Sequence, residues 1–301
     1  VKVFLLGIFH LLPDRQVQRS KETDMTTKTS PDTPEMPDVQ GSADSRKVAI
    51  DKVGVKDITY PISLHCPSTG NVQNTVAKVN MYVSLPHHQK GTHMSRFLEV
   101  LNKHNECMRS DQVMNVARDI KERLEAEEAH LSLTFPYFIH KKAPVTKSPS
   151  LLDIEVTFEA VAGVQSDFIM GVKVPAKSLC PCSKEISKYG AHNQRCHIEA
   201  RVRFTSGKKM WIEEVFAIVE KAASSPVFAV LKRPDEKWVT EEAYENPKFV
   251  EDIVRDLAVM LDAENRIKWY QITSENFESI HNHNAYAFIE KDKEASEFGV
   301  C

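Results

Sequence analysis

Several things this sequence lacks narrow what it can be. It has no basic excess: 39 Lys and Arg stand against 42 Asp and Glu, a formal net charge of −3. That balance argues against a dedicated nucleic-acid surface, while leaving room for a local basic pocket that takes a phosphorylated small molecule. No stretch approaches the roughly 20 apolar residues needed to cross a bilayer, so no membrane partner is expected. The six cysteines (Cys66, Cys107, Cys180, Cys182, Cys196 and Cys301) form no disulfide framework for a chain of 301 residues. A reducing cytoplasm is the simplest setting for them. No internal sequence repeat is visible either.

The N-terminus also lacks what a signal peptide needs. Val3 to Leu12 is apolar, but His10 interrupts it and no small-residue cleavage site follows. From Arg15 to Gly41 the chain is polar and rich in Ser, Thr, Asp and Pro, a composition that reads as disordered. Residues 1–36 are therefore expected to be a disordered or non-native extension, with the folded body beginning near Pro37. A targeting segment is the alternative.

What is there is strongly patterned. Ala49 to His65 and Thr75 to Leu85 alternate and β-branch like strands, joined through a turn at Pro67 to Gly70. Two helical patterns follow, one from Ser95 with Phe97, Leu98 and Leu101 on one face. The other runs from about Asp111, with Val113, Val116, Ala117, Ile120 and Leu124 at helical spacing. Strand patterns at His130–Ile139 and Leu151–Val161 complete a ββααββ order. The order then repeats, with strands at Asp167–Val174 and His197–Phe204, helices at Trp211–Ala223 and Pro247–Leu261, and strands at Ile267–Thr273 and His283–Glu290. The expected class is α+β, with antiparallel sheets carrying helices on one face, in modules at 37–163 and 164–301. Such sheets leave edges that need covering, so oligomerisation is expected.

Chemistry concentrates in Ser178 to Arg195. Cys180 and Cys182 precede His192 by about one short loop, and soft thiolate with imidazole suits zinc, or iron and manganese once a carboxylate is added. The Cys-Pro-Cys spacing is too short for an unstrained disulfide, so one thiol is expected to bind metal while the other stays free. An ordinary loop is the plain alternative.

Four further segments matter. Lys90 to Arg96 offers two cations, His93 and a helix start, a combination suited to phosphate or simply to a capped helix. In Leu231 to Lys237, Glu236 sits beside three cations and would complete a Cys/His/Glu metal site, or belong to a polar turn. Glu251 and Arg255 make a plain surface i, i+4 pair unless Glu251 faces a ligand, where a carboxylate suits guanine's adjacent N–H donors. His281 and His283 would face the same side of a strand, as pocket acid/base groups or as half-exposed strand residues.

Taken in order, Pro37-Asp-Val-Gln, Lys90-Gly-Thr-His-Met-Ser-Arg-Phe97, Ser178-Leu-Cys-Pro-Cys-Ser-Lys184, Gly190-Ala-His-Asn-Gln-Arg195, Leu231-Lys-Arg-Pro-Asp-Glu-Lys237, Glu245-Asn-Pro-Lys-Phe-Val-Glu-Asp252 and Asn276-Phe-Glu-Ser-Ile-His-Asn-His283 resemble GTP cyclohydrolase I of type IB. The resemblance runs from Pro37 to about Ile289. It implies tandem tunnelling-fold modules in a homotetrameric barrel with active sites at subunit interfaces. It further implies conversion of GTP and water to 7,8-dihydroneopterin triphosphate and formate, opening tetrahydrofolate synthesis. By the same resemblance Cys180, His192 and Glu236 hold a divalent zinc, manganese or iron ion, beside Cys182 as an essential thiol. Glu251 anchors the purine and His281 is catalytic or touches substrate, with His283 beside it. Lys90, His93 and Arg96 are assigned to the triphosphate on charge and motif position. The nitrile reductase of queuosine synthesis shares the fold, but its Glu-Ser-Lys-Ser-x-Lys signature is absent. An archaeal-type cyclohydrolase making a cyclic phosphate and a non-catalytic pterin-binding protein are the remaining alternatives.

Overall fold

The structure, a computed structural model, describes residues 37–67, 70–104 and 110–295. The expected N-terminal extension at 1–36 lies outside the described residues. So do Cys107, Cys301 and the middle of the turn between the first two strands. The described residues from Val39 onward form one compact unit.

The elements follow the doubled order. In the first half come β1 (Ile50–Cys66), β2 (Asn71–Leu85), α1 (Met94–Lys103), α2 (Ser110–Arg123), β3 (Ala129–Lys142) and β4 (Pro149–Ala162). In the second come β5 (Asp167–Leu179), α3 (Pro181–Ile186), β6 (Asn193–Phe204), α4 (Ile212–Lys221), β7 (Ser225–Pro226), α5 (Arg233–Glu245), α6 (Val250–Ala263), β8 (Ile267–Asn276) and β9 (Ala285–Asp292). Both halves share one antiparallel sheet in the order β1-β2-β3-β4-β5-β6-β8-β9. The halves join where β4 pairs β5 from Glu155↔Lys173 to Val161↔Asp167. Beyond Lys173 the two strands part. Pro175 has no N–H to continue a ladder, and β7 takes up Ala176 and Lys177 instead.

Alternation explains the layering. Along β6, Gln194, Cys196, Ile198, Ala200 and Val202 are buried on the helix side, and the residues between them face the other way. The helices cover that face with their apolar stripes. Val113, Val116, Ala117 and Ile120 of α2 and Leu124 just past its end are buried as expected, as are Ile212, Val215, Phe216 and Val219 of α4 and Ile253, Val254, Leu257 and Leu261 of α6.

Two helices differ from expectation. Pro181 opens the short α3 inside the supposed Cys-Pro-Cys loop, with Cys180 as its N-cap. The supposed polar turn at Leu231–Lys237 is instead the start of α5. Its N-cap, Lys232, carries no capping oxygen. The N3 carboxylate of Asp235 accepts the Lys232 amide at 3.0 Å in its place.

Candidate functional site

Strand register sorts the chemistry to one rim of the sheet. Leu179 pairs with Asn193 at the end of β5 and the start of β6, and Cys196 pairs with Asn276 near the end of β8. The β3–β4 turn lies at the same rim, because Lys142 pairs with Pro149 there. So does the start of α6, whose approach is tied down by Lys248 N–H donating to Leu179 O at 3.0 Å. Cys180, Cys182, His192, Glu251 and the segment after Asn276 are thus gathered by the fold.

At the centre, the Cys180 N–H donates to His192 O at 3.2 Å, extending the β5–β6 ladder by one step into the loop. The Cys180 thiol, half-buried, accepts the Ser183 amide at 3.4 Å as the cap of α3. Cys182 is exposed one residue beyond Pro181. The His192 amide donates to Ser183 Oγ at 3.2 Å. Its ring is mostly buried, with Nδ1 2.9 Å from Gln194 Oε1 and 3.9 Å from Glu278 Oε2. An acceptor at Nδ1 places the proton there and leaves Nε2 with the lone pair, the form of histidine that ligates metals. Gln194 in turn donates to Ser178 Oγ at 3.1 Å and to Glu278 Oε1 at 3.4 Å.

Gln194 and Glu278 are the residues around His192 that motif reading passed over. Strand alternation carried a signal for Gln194: it shares the inward parity of Cys196 and Ile198, and a buried amide among apolar residues needs partners. Glu278 lay inside a motif whose histidines drew attention away from it. Two residues earlier in the chain, the buried Asn276 Oδ1 has no hydrogen-bond partner among the described residues.

The other expected residues fall differently. Asp235, not Glu236, is the buried carboxylate of its motif. Burial disfavours its charge, but the Thr146 hydroxyl and the amides of Thr146, Lys232 and Val145 hold it well below the usual carboxylate range. Glu236 lies about 100° further round the helix and is exposed. Among the described residues no three His, Cys, Asp or Glu side chains converge to hold a metal, so Cys180, His192 and Glu236 do not meet within one chain. Glu251 is exposed in the first turn of α6. His281 and His283 sit in the β8–β9 loop and not on a strand, yet their rings stack at 5.1 Å.

Lys90, His93 and Arg96 lie at the opposite rim. Val83 of β2 pairs with Ala129, Ala129 with Ala162, and Val161 with Asp167 at the far end of β5. The 13 residues of β5 span roughly 40 Å at about 3.3 Å each, so within one chain these cations are remote from Cys180. Helix-start spacing was legible in the sequence, but the end of the sheet on which it falls depends on strand register. Where β4 and β5 part, a cavity of about 550 Å³ is lined by Lys78, Lys173, Arg195 and His197 among others. Burial, with Lys173 and Arg195 nearby, keeps His197 below its ordinary pKa.

This arrangement has close relatives. The sequence is 54% identical over 258 residues to the GTP cyclohydrolase FolE2 of Geobacter metallireducens, covering 86% of this chain and 98% of that one. It is 55% identical over 258 residues to that of Geobacter sulfurreducens, covering 86% and 99%. The protein of the same name from Magnetococcus marinus is 56% identical over 254 residues, covering 84% and 95%. A uricase from Bacillus fastidious shares the fold at a TM-score of 0.50 and 7% identity, over 81% of this chain and 93% of that one. Residues 36–287 match the family model described as Type I GTP cyclohydrolase folE2. The chain belongs to the type I GTP cyclohydrolase folE2 family.

Proposed function

We propose that this protein is a GTP cyclohydrolase of type IB that converts GTP and water to 7,8-dihydroneopterin 3′-triphosphate and formate, the step that opens tetrahydrofolate synthesis. The observation that carries the reading is the single rim on which a thiol, a tautomer-defined imidazole and the Glu251 helix start are gathered, in a chain of this family. Glu251, free of a folding role in its exposed position, accepts the guanine N1–H and exocyclic amine and orients C8 toward Cys180 and His192. Cys182, exposed and close in sequence, carries a proton between water and the purine. His281 protonates N7 as water adds at C8. Gln194 and Glu278 hold the His192 ring in one tautomer through the reaction.

A divalent ion, zinc, manganese or ferrous iron, fits the Cys180 thiol and His192 Nε2 by donor chemistry, with Glu236 as the third ligand. When bound it supplies Lewis acidity that lowers the pKa of water from 15.7 to about 7. Assembly into a homotetramer completes the site: it is the means by which Glu236 and the cations at the opposite rim reach it from other subunits. The two outer strands support assembly, since among the described residues β1 and β9 each keep an unpaired edge and β9 exposes Tyr286 and Phe288. All four cysteines among the described residues are free thiols, which suits a reducing cytoplasm.

The test is formate release from GTP by metal-stripped protein resupplied with manganese or zinc, with pterin fluorescence after oxidation. Formate with a fluorescent neopterin product is the expected result. Tight GTP binding without formate would convert the reading to that of a binding protein. A cyclic phosphate in the phosphorus NMR of the product would move it to the archaeal-type reaction.

A further inference from the structure

The peptide before Cys180 is gripped on both backbone groups. Leu179 N–H donates to Ser224 Oγ at 3.2 Å, and Leu179 O accepts from Lys248 N–H at 3.0 Å. Ser224 belongs to the turn that leaves α4, and its own amide donates to Lys177 O at 3.1 Å. That turn has carbonyls with no helical donor, as every helix end does. Asn246 supplies two of them, its Nδ2 lying 3.1 Å from both Ala223 O and Ser224 O. Lys248 supplies the third, with Nζ 3.0 Å from Ala222 O and 2.8 Å from the Asp256 carboxylate. From the other side the buried Lys141 reaches Val227 O at 2.8 Å and Glu220, with the Phe228 ring 4.0 Å from its ammonium.

The Asn246-Pro-Lys248 turn is therefore more than a link between α5 and α6. Its backbone holds the residue before Cys180, and its side chains hold the turn that holds the same residue. Glu251 follows three residues after Lys248, in the first turn of α6. We infer that Asn246 and Lys248 are positioning residues that set the separation between Cys180 and Glu251, and so between the reacting carbon and the purine anchor. This rests on the roles given to Cys180 and Glu251 above. The physical reason is one of tolerance: binding energy at Glu251 survives a small displacement of α6, whereas a misplacement of about 1 Å at the reacting atoms costs about 10²-fold in rate.

The experiment compares wild type with Lys248→Met, Lys248→Arg, Asn246→Ala and Asn246→Ser in the full chain resupplied with manganese. Three quantities are read: GTP affinity by calorimetry, formate release per GTP-binding site, and amide hydrogen exchange over the peptide containing Leu179 and Cys180. Lys248→Met and Asn246→Ala should lower kcat by about 10- to 100-fold with GTP affinity kept within about threefold. Exchange at Leu179 should quicken in both. Lys248→Arg and Asn246→Ser, which keep donors, should recover much of the rate and provide the reading if the harsher variants do not fold. A merely structural role predicts fewer GTP-binding sites, each turning over at the wild-type rate, and that result overturns the inference. Unchanged exchange at Leu179 overturns it as well. A wild type that binds GTP and releases no formate refutes the reaction proposed above, and the clamp then stands or falls on the exchange alone.

Discussion

The two halves of the sheet are built on the same order of elements and differ in what they place at the rim. In the first half β1 and β2 are joined by a turn of four residues, 67–70, and β3 and β4 by six, 143–148. In the second half the equivalent β5–β6 link is the segment 180–192, long enough to hold α3, both thiols and His192. The helical crossover is also longer there, with β7 and α5 inserted between α4 and α6. The first half is closed by packing; the second spends extra chain on loops that a rigid sheet holds in place. On the function proposed above, the metal and purine chemistry is carried by those loops and not by the sheet framework itself.

The sharpest way to break this comparison is to remove thiols from both halves in turn. Cys180→Ala should abolish metal retention and lower turnover by about 10³-fold or more. Cys182→Ala should retain metal and lose turnover. If Cys182→Ala lost metal instead, the two roles would be exchanged. Cys66 in the first half is buried and donates to Glu213 Oε1 at 3.3 Å, beside Tyr137 Oη at 2.8 Å on the same oxygen. Cys66→Ala should cost about 1–2 kcal/mol of stability and leave formate release within about twofold. A Cys66→Ala protein that stayed folded and lost activity would show that a first-half thiol takes part, beyond the triphosphate cations proposed there.

Core lesions should separate the halves next. Phe135 and Phe158 meet edge to face at 5.2 Å inside the first half. Phe135→Ala should lower unfolding free energy by about 3–5 kcal/mol, measured by denaturant titration, with turnover per folded molecule unchanged. The reverse profile is expected of Glu251→Gln. It removes a charge-assisted acceptor at an exposed position, so stability should hold while GTP binding weakens about 10- to 100-fold, equivalent to about 1.5–3 kcal/mol. GTP affinity equal to wild type would take Glu251 out of the site.

Much of this was legible before the structure. Strand alternation and the α2 stripe from Val113 to Leu124 led to the right elements because burial on one face leaves a period in the sequence. Helix α5 left no such mark. It buries only Asp235, Val239 and Ala243, and its N-cap is a lysine. The β9 start was placed two residues early because the paired histidines look like strand alternation, whereas stacking in a loop holds them together equally well. The separation of Lys90, His93 and Arg96 from Cys180 was not legible at all, because which end of a sheet a loop occupies depends on pairing between distant strands. Gln194 could have been found from parity, and Glu278 only from its contact with the residue that parity buries.

The smallest expected difference lies at the corners where helix returns to strand. In the second half Arg266 forks between Glu264 at 2.8 Å and Glu214 of α4 at 2.7 Å, tying the α6–β8 corner to its neighbour. In the first half the corresponding α2–β3 corner has Glu128 beside His130 at 2.7 Å and no arginine in that pair. Burial, with Lys52 nearby, outweighs Glu128 and keeps His130 below its ordinary pKa. The Arg266 guanidinium holds the Glu264 carboxyl down at about 2 from an ordinary 4.5. A carboxyl depressed on folding contributes stability that is fully present above its unfolded value. That stability is lost as pH falls from about 4.5 through about 2, where the folded form finally takes up the proton. The pair is partly exposed and solvent screens it, so the contribution is about 1 kcal/mol or less. Glu264→Gln should therefore match wild type in stability near pH 2 and fall slightly below it above pH 5. The same acid titration followed by hydrogen exchange should open the 124–130 corner first, because His130, held below its ordinary 6.5, costs stability as soon as pH falls below that value. The 262–268 corner should open only as pH falls from about 4.5 toward about 2. If both corners opened together, the arginine fork would not distinguish the two halves.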